Sequence, residues 1–287
     1  MRILVTGANG LLGRHAVRRF ARDHEIHALV HSAPSSAVEG VNYHVIDLSR
    51  EGGLDVLPSQ IDAVVHLAQS SRFREFPEQA LDVFSVNVGS TARLLEYARR
   101  SGARNFVLAS SGGVYGAGEE AFKENAVIQH HGRLGYYLGS KLCAEVLAQN
   151  YSSLMNVSVL RFFFIYGQGQ KRSMLVPRLI DNVLAGQPIT LQGNDGIRIN
   201  PVHVSDATAA VEKCLALDGS HTFNVAGAEV MSLRAIAETI GHAVGREPVL
   251  KVDATEPRHL IANIDALRER LVAPSVNFEE GLLELIP

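Results

Sequence analysis

A tyrosine and a lysine four residues apart, Tyr137 and Lys141, are the first candidates for chemistry in this sequence. Residues at i and i+4 of a helix lie on one face, so the two side chains can converge. A phenol titrates at about pH 10, and a neighbouring ammonium group favours the phenolate and lowers that pKa. The pair therefore predicts a general acid–base group that exchanges a proton with a substrate hydroxyl or carbonyl. Because this spacing is also common on ordinary surface helices, other residues must support the prediction.

Ser111 is the second candidate, in the run Ser110–Gly113 that follows an apolar segment. A serine hydroxyl there could hold the same substrate oxygen through a hydrogen bond. Tyr136 is a weaker candidate than its neighbour, because no lysine lies four residues after it. His130 and His131 precede the tyrosines and could face a substrate, although an exposed loop is the alternative that we favour.

A glycine-rich turn, Thr6-Gly7-Ala8-Asn9-Gly10-Leu11-Leu12-Gly13, lies near the start of the chain. It follows a predicted strand and begins a predicted helix. Glycines allow backbone N–H groups to approach a pyrophosphate, and the helix N-terminus adds a favourable partial charge. We therefore expect the turn to bind a dinucleotide through Gly7, Asn9, Gly10, Leu11, Leu12 and Gly13.

The end of the second predicted strand, Glu25–Val30, bears on which dinucleotide binds. NAD sites commonly carry an acidic residue there, which binds the ribose 2′-hydroxyl. This chain has His31 and Ser32 instead, which tolerate a 2′-phosphate, so we expect NAD(P) with a preference for NADP. Alternatively, His31 is a solvated loop residue and NAD binds without the acid. Asp47 and Leu48, after the third strand, are expected either to border the adenine ring or to cap the strand.

The elements that position these residues alternate along residues 1–165. Short β-branched runs and longer amphipathic stretches form strand–helix–strand units, which predict a parallel sheet covered on both faces. After about residue 167 a smaller domain with more helices is expected, giving domains 1–166 and 167–287, although late segments could return to the first. We expect strands at Arg2–Thr6, Glu25–Val30, Asn42–Ile46, Ala63–Leu67, Asn105–Ala109 and Val157–Phe162, and helices at Leu11–Arg22, Gln79–Ser101, Tyr137–Tyr151, Met174–Ala185, Ser205–Leu217, Ser232–Val244 and Phe278–Leu285.

The composition excludes several classes of protein. With a formal net charge of −3 and no block of like charges, the chain does not suit a nucleic-acid or anionic-membrane binder. The cysteines, Cys143 and Cys214, are too few for a disulfide framework, and we expect both to pack in the core. We find no secretory signal, membrane span or metal-site spacing, so a cytoplasmic enzyme without a metal is expected.

With its motifs in this order, the chain resembles the extended short-chain dehydrogenase/reductase family, which contains UDP-galactose 4-epimerase and sugar-nucleotide dehydratases. The resemblance covers most of the chain and is strongest over residues 1–167. It is carried by the T-G-x-x-G-x-x-G turn, His66-Leu67-Ala68, Asn87-Val88-x-Ser90-Thr91, Y-x-x-S-K-x-x-A-E through Glu145, Leu160-Arg161 with Tyr166-Gly167, and Val202-His203-Val204-x-Asp206.

The resemblance implies a Rossmann-type doubly wound parallel sheet with a smaller α/β C-terminal substrate domain. It also implies that Lys141 binds the nicotinamide ribose beside Tyr137, and that Leu67 and Ala68 line the cofactor. Phe164 is a further expected cofactor-site residue. Homodimers of the family often pair the helices that match residues 79–101 and 137–151, so a homodimer is expected here.

Departures from the family narrow the reaction. Its 4,6-dehydratases carry an Asp-Glu pair directly after the catalytic Ser or Thr, where this chain has Gly112-Gly113, so dehydration is not expected. Phe164 replaces an Asn that helps many members to bind sugar-nucleotide phosphates. Ile199 replaces a phosphate-binding Arg, and Arg198, one residue earlier, would lie on the other face of a strand. Arg258 could supply the charge instead, although a surface salt bridge is its expected use.

We therefore expect NAD(P)-dependent hydride transfer on a nucleotide-sugar, as a 4-ketoreductase or a 4-epimerase, with Ser111, Tyr137 and Lys141 as the catalytic residues. Two alternatives stay open. One is a reductase or dehydrogenase of a non-nucleotide carbonyl substrate, and the other is a non-catalytic protein that senses a dinucleotide. The expected partners are a small-molecule substrate and a second copy of the chain, with no nucleic acid and no membrane.

Overall fold

The computed structural model describes residues 1–128 and 134–286. His130 and His131 lie outside the described residues. The chain forms two compact units that interleave along the sequence. The first comprises Met1–Val114, Ile128–Arg161 and Thr208–Phe223, and the second comprises Tyr115–Val127, Phe162–Ala207 and Asn224–Pro287. The predicted boundary at residue 166, with late segments free to return to the first domain, stays a prediction.

The strands and helices follow the predicted alternation. The strands are β1 (Arg2–Thr6), β2 (Glu25–Val30), β3 (Asn42–Val45), β4 (Ala63–His66), β5 (Asn105–Ser111), β6 (Asn156–Phe162), β7 (Ile165–Tyr166), β8 (Ile189–Gln192), β9 (Arg198–Ile199), β10 (Val202–His203), β11 (His221–Val225), β12 (Met231–Ser232) and β13 (Leu250–Asp253). The α-helices are α1 (Leu11–Phe20), α2 (Ala80–Phe84), α3 (Ser90–Arg100), α4 (Gly135–Gln149), α5 (Leu175–Ala185), α6 (Val204–Cys214), α7 (Leu233–Val244), α8 (Asp265–Arg270) and α9 (Phe278–Leu283).

Seven strands form one sheet in the order β11-β6-β5-β4-β1-β2-β3. Strand β1 lies inside the sheet, between β4 and β2, and runs parallel to both. The chain order reverses at β1, and open α/β sheets bind ligands outside the carboxyl ends of the strands at such a point. The expected Rossmann-type α/β fold is therefore confirmed, and the glycine-rich turn, which follows Thr6, lies at this edge of the sheet.

The helix predicted over residues 79–101 is not uniform. A π-helical segment, Ser85–Gly89, lies between α2 and α3. Such segments recur at functional sites, because the widened turn changes the direction of the side chains it carries. Here the segment carries Asn87, which is 2% exposed.

The second unit has its own core, in which side chains of α5, α7 and α9 pack around Leu191 and Ile199. Its short strands form two-stranded pairs, β10 with β7, β12 with β9 and β13 with β8. Within the described residues, no helix combines the length and apolar character needed to cross a membrane. In the same ranges, no three His, Cys, Asp or Glu side chains are grouped so that they could hold a metal ion.

The two cysteines differ in their surroundings. Cys214 is buried, as predicted, and burial raises the pKa of its thiol to about 12. The prediction for Cys143 is wrong, because this residue is exposed on α4. Its neighbour Ala144 faces the core instead, and an apolar residue type alone does not show which face of a helix it occupies.

Candidate active site

The glycine-rich turn packs closely against the end of β4. Gly7 has φ +66°, a left-handed conformation, and a Cβ atom added there would lie 2.7 Å from the backbone nitrogen of Ala68. A Cβ atom on Gly13 would lie 2.1 Å from the carbonyl oxygen of Gly7. No larger side chain fits at Gly13 unless the turn moves. Leu11 and Leu12 follow in the first turn of α1, and Leu12 packs in the core.

The N-terminus of α1 fits an anionic group. Gly10 is the N-cap residue and makes no side-chain capping hydrogen bond, and the first turn carries no acidic residue. The first N–H groups of a helix lack partners inside the helix, and together with the helix dipole they favour an anion such as a phosphate. The turn therefore has the form that a dinucleotide pyrophosphate requires.

A buried histidine connects this turn to the end of β4. The hydroxyl of Thr91 donates to the carbonyl of Asn87 (2.7 Å), so it must accept its 3.0 Å hydrogen bond from Nε2 of His66. The other ring nitrogen, Nδ1, then accepts from the Thr6 hydroxyl (2.7 Å), which in turn accepts from the N–H of Ala68 (3.2 Å). Every donor and acceptor of this hydrogen-bond network has a partner only when the imidazole is neutral. Burial, and secondarily the charge of Lys141, lowers the pKa of His66 to about 3.

The residues expected near the adenosine differ in what they contact. Asn9 donates through its side-chain amide to the carbonyl of Ser32 (2.8 Å), which joins the turn to the end of β2. The side chain of His31 is 82% exposed and lies 3.9 Å from Asp47. Asp47 accepts from the Ser49 hydroxyl (2.7 Å) and the Ser49 N–H (2.9 Å), and these two hydrogen bonds, the first above all, lower the pKa of its carboxyl group.

Leu48 turns its side chain into the core, and its carbonyl accepts from Arg93 (2.6 Å). Asp47 therefore caps its own loop, which is the alternative that the sequence analysis left open. A border of the adenine ring formed by Asp47 and Leu48 stays a prediction.

Tyr137 and Lys141 lie on the same face of α4, as their spacing predicts. The Tyr137 ring packs against Phe73, with ring centroids 4.9 Å apart. The Nζ atom of Lys141 donates to the carbonyl of Ala109 in β5 (2.9 Å) and lies 6.0 Å from the centroid of the Tyr137 ring. Tyr136 points elsewhere and stacks on Phe76, with centroids 5.0 Å apart.

The electrostatics of this pair show what the protein alone contributes. The ammonium group of Lys141 and an oxidised nicotinamide together are expected to lower the pKa of Tyr137, whereas in the protein alone burial raises that pKa to about 12. Burial also lowers the pKa of Lys141 to about 8, and the charge of Glu145 opposes this shift. Desolvation penalises the charged form of each group and is the largest cause of both shifts.

Ser111 is the last residue of β5, two residues later than the predicted strand end. Its hydroxyl accepts from the N–H of Gly113 (3.2 Å) in the 3₁₀ turn that follows. A Cβ atom on Gly113 would lie 2.7 Å from a methyl group of Leu138. A side chain at this position, such as a catalytic acid, would therefore displace Leu138.

A buried ion pair supports the end of β5. Arg161 of β6 contacts Glu145 of α4, with Nη2 to Oε2 at 2.7 Å, and both side chains are almost fully buried. Glu145 also accepts a short hydrogen bond from the hydroxyl of Ser110. Ser110 lies between Ala109, which binds Lys141, and Ser111. The ion pair therefore stabilises the end of β5, which carries Ser111 and the carbonyl group that binds Lys141.

Sequence reasoning missed one residue of this site. Gln69 follows Leu67 and Ala68, and its Oε1 atom accepts from the Tyr137 hydroxyl (2.9 Å). Leu67 and Ala68 themselves follow β4, which ends one residue earlier than predicted. The only available signal was the position of Gln69 directly after the His66-Leu67-Ala68 motif.

The second unit carries Phe164, which is expected at the cofactor site, and the residues that bear on phosphate binding. Phe164 has φ +47°, a conformation that is unfavourable for a bulky side chain, and it packs against the core of this unit. Ile199 is fully buried, whereas Arg198 is exposed and points to the opposite side of the strand, as the alternation of a strand predicts. Arg258 is exposed.

Comparison with known proteins identifies the family. Residues 3–226 match the model of the NAD dependent epimerase/dehydratase family. The chain is 28% identical over 280 residues to a dTDP-4-dehydro-6-deoxy-D-allose reductase of a Streptomyces species, covering 89% of this chain and 85% of the relative.

Solved structures agree with this assignment. MoeE5 in complex with UDP-glucuronic acid and NAD superposes with a TM-score of 0.86 at 26% identity, covering 100% of this chain and 98% of that one. The UDP-glucose 4-epimerase of Thermus thermophilus in complex with NAD gives a TM-score of 0.85 at 25% identity, with 100% and 98% coverage. The chain belongs to the NAD-dependent epimerase/dehydratase family.

Proposed function

We propose that this protein transfers hydride between a nicotinamide dinucleotide and a nucleotide-sugar, as a 4-ketoreductase or a 4-epimerase. The observation that carries the proposal is the presence of Tyr137, Lys141 and Ser111 beside the carboxyl ends of β4 and β5. Relatives named as sugar-nucleotide reductases and epimerases support the substrate class.

In this mechanism each residue has a separate task. Tyr137 exchanges the proton of the substrate hydroxyl at its phenol oxygen, while Ser111 holds the same substrate oxygen by a hydrogen bond. Lys141 binds the ribose next to the nicotinamide and supplies positive charge beside the phenol. When bound, the dinucleotide would supply the hydride chemistry and, in its oxidised form, a second positive charge near the phenol. Gly7, Asn9, Gly10 and Gly13 hold the dinucleotide.

Dehydration is not part of the proposal. An elimination of water needs an acid and a base beyond the tyrosine, and Gly112 and Gly113 offer neither. Leu138 also occupies the space into which a side chain at position 113 would extend.

Turnover of a panel of UDP- and dTDP-sugars tests the proposal. Absorbance at 340 nm reports net reduction, and proton NMR of the sugar ring reports inversion at C4. We expect Tyr137→Phe to lower turnover by about 100-fold or more while cofactor binding persists. Tyr136→Phe is the matched control, because this neighbouring ring faces Phe76 and keeps its packing. Equal turnover in Tyr137→Phe and the wild type would contradict the mechanism.

We also propose a preference for NADP, supported by the exposed His31 and Ser32 and by the absence of a carboxylate at the end of β2. Arg50, whose side chain is 83% exposed, lies beside Asp47 and adds a cationic group there. The ratio of kcat/KM for NADPH to that for NADH should exceed one and should fall in His31→Asp. A wild-type ratio below one would exclude the preference, which the NAD-bound neighbours do not share.

A homodimer is a further proposal. Leu81 and Phe84 of α2 and Val146 of α4 are 80%, 49% and 53% exposed, although they are apolar. Exposed apolar residues on neighbouring helices favour association. Light scattering after gel filtration should give twice the chain mass, and Leu81→Glu should give the monomer. A monomeric wild type would refute the proposal.

One observation favours a second candidate, a carbonyl substrate without a nucleotide. Ile199, in the slot of the family's phosphate-binding arginine, is buried, and Arg198 points the opposite way. If the nucleotide-sugar panel gives no turnover, reduction of simple aldehydes and ketones that still requires Tyr137 would establish this candidate.

A further inference from the structure

We propose that Gln69 is a positioning residue for the reaction, whose side-chain amide orients the Tyr137 hydroxyl and accommodates both the phenol and the phenolate. The inference rests on the proposed role of Tyr137 as the proton-exchanging group. No family motif quoted above contains Gln69, and its contact with Tyr137 spans 68 positions of the chain.

The contact itself is direct. The Tyr137 hydroxyl donates to Oε1 of Gln69 at 2.9 Å. The Tyr137 ring is held from the side by Phe73, while Gln69 is exposed at the mouth of the site. Gln69 therefore contacts the polar end of the tyrosine, the part that a substrate oxygen must reach.

The loop that carries Gln69 is held in place by buried hydrogen bonds. The backbone N–H of Ser70, the next residue, donates to Oδ1 of Asn87 (2.9 Å), and its hydroxyl donates to the carboxylate of Asp82. The amide nitrogen of Asn87 donates to the Ser140 hydroxyl (2.8 Å). Ser140 in turn donates to the carbonyl of Tyr137 (2.6 Å).

Asn87 thus joins the Gln69 loop to the helix of Tyr137. It occupies the π-helical segment, whose altered turn gives this side chain its direction. Because Asn87 bonds both the residue after Gln69 and the helix turn of Tyr137, the separation of the amide and the phenol is fixed by the fold. A surface glutamine in chance contact would lack this support.

The chemistry of an amide suits this position. Its oxygen accepts from the neutral phenol, and after rotation of the terminal torsion its NH₂ group donates to the phenolate. An ionised carboxylate at the same place can only accept, and it adds a negative charge beside the phenolate. A leucine can do neither. Gln69→Glu should therefore disfavour the phenolate most, and Gln69→Leu to a smaller degree.

The experiment measures the phenol directly. We would incorporate 3,5-difluorotyrosine at position 137, where fluorination brings the titration into an accessible pH range, and follow its single ¹⁹F signal against pH. In Gln69→Glu the apparent pKa should rise by about 1 unit or more, and in Gln69→Leu by less. The matched control is Gln79→Glu, at a residue that contacts Arg72 and not Tyr137. Thermal melting of each variant verifies folding.

The outcomes separate this inference from the proposed function. A titration that is the same in the wild type, Gln69→Glu and Gln69→Leu would overturn the role of Gln69, even if nucleotide-sugars are turned over. A shift equal to that of Gln79→Glu would also overturn it, because the effect would then be general charge. A specific shift without turnover of any nucleotide-sugar would uphold Gln69 and refute the proposed substrate class.

Discussion

The neutral, buried His66 predicts that acid destabilises this protein before its carboxylates titrate. In the unfolded chain a histidine binds a proton at about pH 6.5, whereas in the folded protein the pKa of His66 is about 3. Between these values the unfolded state binds one more proton, so the free energy of unfolding increases with pH. The contribution of His66 is complete above about pH 6.5 and is lost as the pH falls below it.

The size of the effect follows from the two pKa values. Between pH 8 and pH 5 the unfolded histidine becomes almost fully protonated, while His66 in the folded state does not. The expected loss of unfolding free energy is about 2 kcal/mol for this group alone. Because pH 5 lies well above the folded value, the loss is set mainly by the unfolded pKa.

Urea denaturation followed by circular dichroism at pH 8 and pH 5 measures this loss. His66→Gln keeps a donor for Thr91 and an acceptor for Thr6 but has no titrating ring. Between pH 8 and pH 5 this variant should therefore lose about 2 kcal/mol less unfolding free energy than the wild type. Other groups contribute equally to both proteins and cancel in the difference. His31→Gln, at an exposed ring, is the control and should keep the wild-type loss. The same loss in His66→Gln and the wild type would refute the neutral, buried imidazole.

Three other predictions test the stability of the fold, two of them beside the candidate site. The Cβ atom of Gly13→Ala would lie 2.1 Å from a backbone oxygen, so this variant should lower the free energy of unfolding by about 2 kcal/mol and weaken cofactor binding in calorimetry. Gly139→Ala is the control, because its Cβ atom would have nothing within 4 Å, and it should raise the free energy of unfolding by roughly 0.5–1 kcal/mol. Ser232→Ala removes the N-cap hydrogen bond of α7 and should cost about 1 kcal/mol in urea denaturation. Glu145→Gln leaves Arg161 buried without its anion and should lower the free energy of unfolding by about 3–5 kcal/mol in urea denaturation. Replacement of both residues by methionine should restore most of this free energy.

The strands near the cofactor site could be predicted because their sequence signals are local. Strands β1 and β2 have the predicted bounds, since each is a short apolar run that ends at a polar residue or a turn. The helix over 79–101 was predicted as one element, because a 3.6-residue period identifies a helix but does not reveal an inserted wider turn. The direction of Asn87, which depends on that turn, was therefore not predictable.

The division into two units shows a similar limit. Residues 115–127 belong to the second unit and 208–223 to the first, although both lie on the other side of the predicted boundary. Composition and periodicity describe each segment by itself. Which unit a segment joins depends on long-range packing. For example, the side-chain amide of Asn105 donates to the carbonyl of Leu217, which lies 112 positions later, within residues 208–223.

The types of the candidate catalytic residues come from the sequence, but the effect of the protein alone on their proton affinities could not be predicted, because burial decides the sign of each shift. Burial raises the pKa of Tyr137 to about 12 and lowers the pKa of Lys141 to about 8, so the protein alone favours the neutral phenol. Glu145 favours the charged lysine, and the amide of Gln69 can bond either form of the tyrosine. Glu145 therefore offsets part of the desolvation of Lys141, whereas a phenolate at neutral pH requires additional positive charge beside Tyr137, which an oxidised nicotinamide would supply. It follows that adding NAD⁺ should lower the pKa of Tyr137, and NADH, which lacks this ring charge, should lower it less.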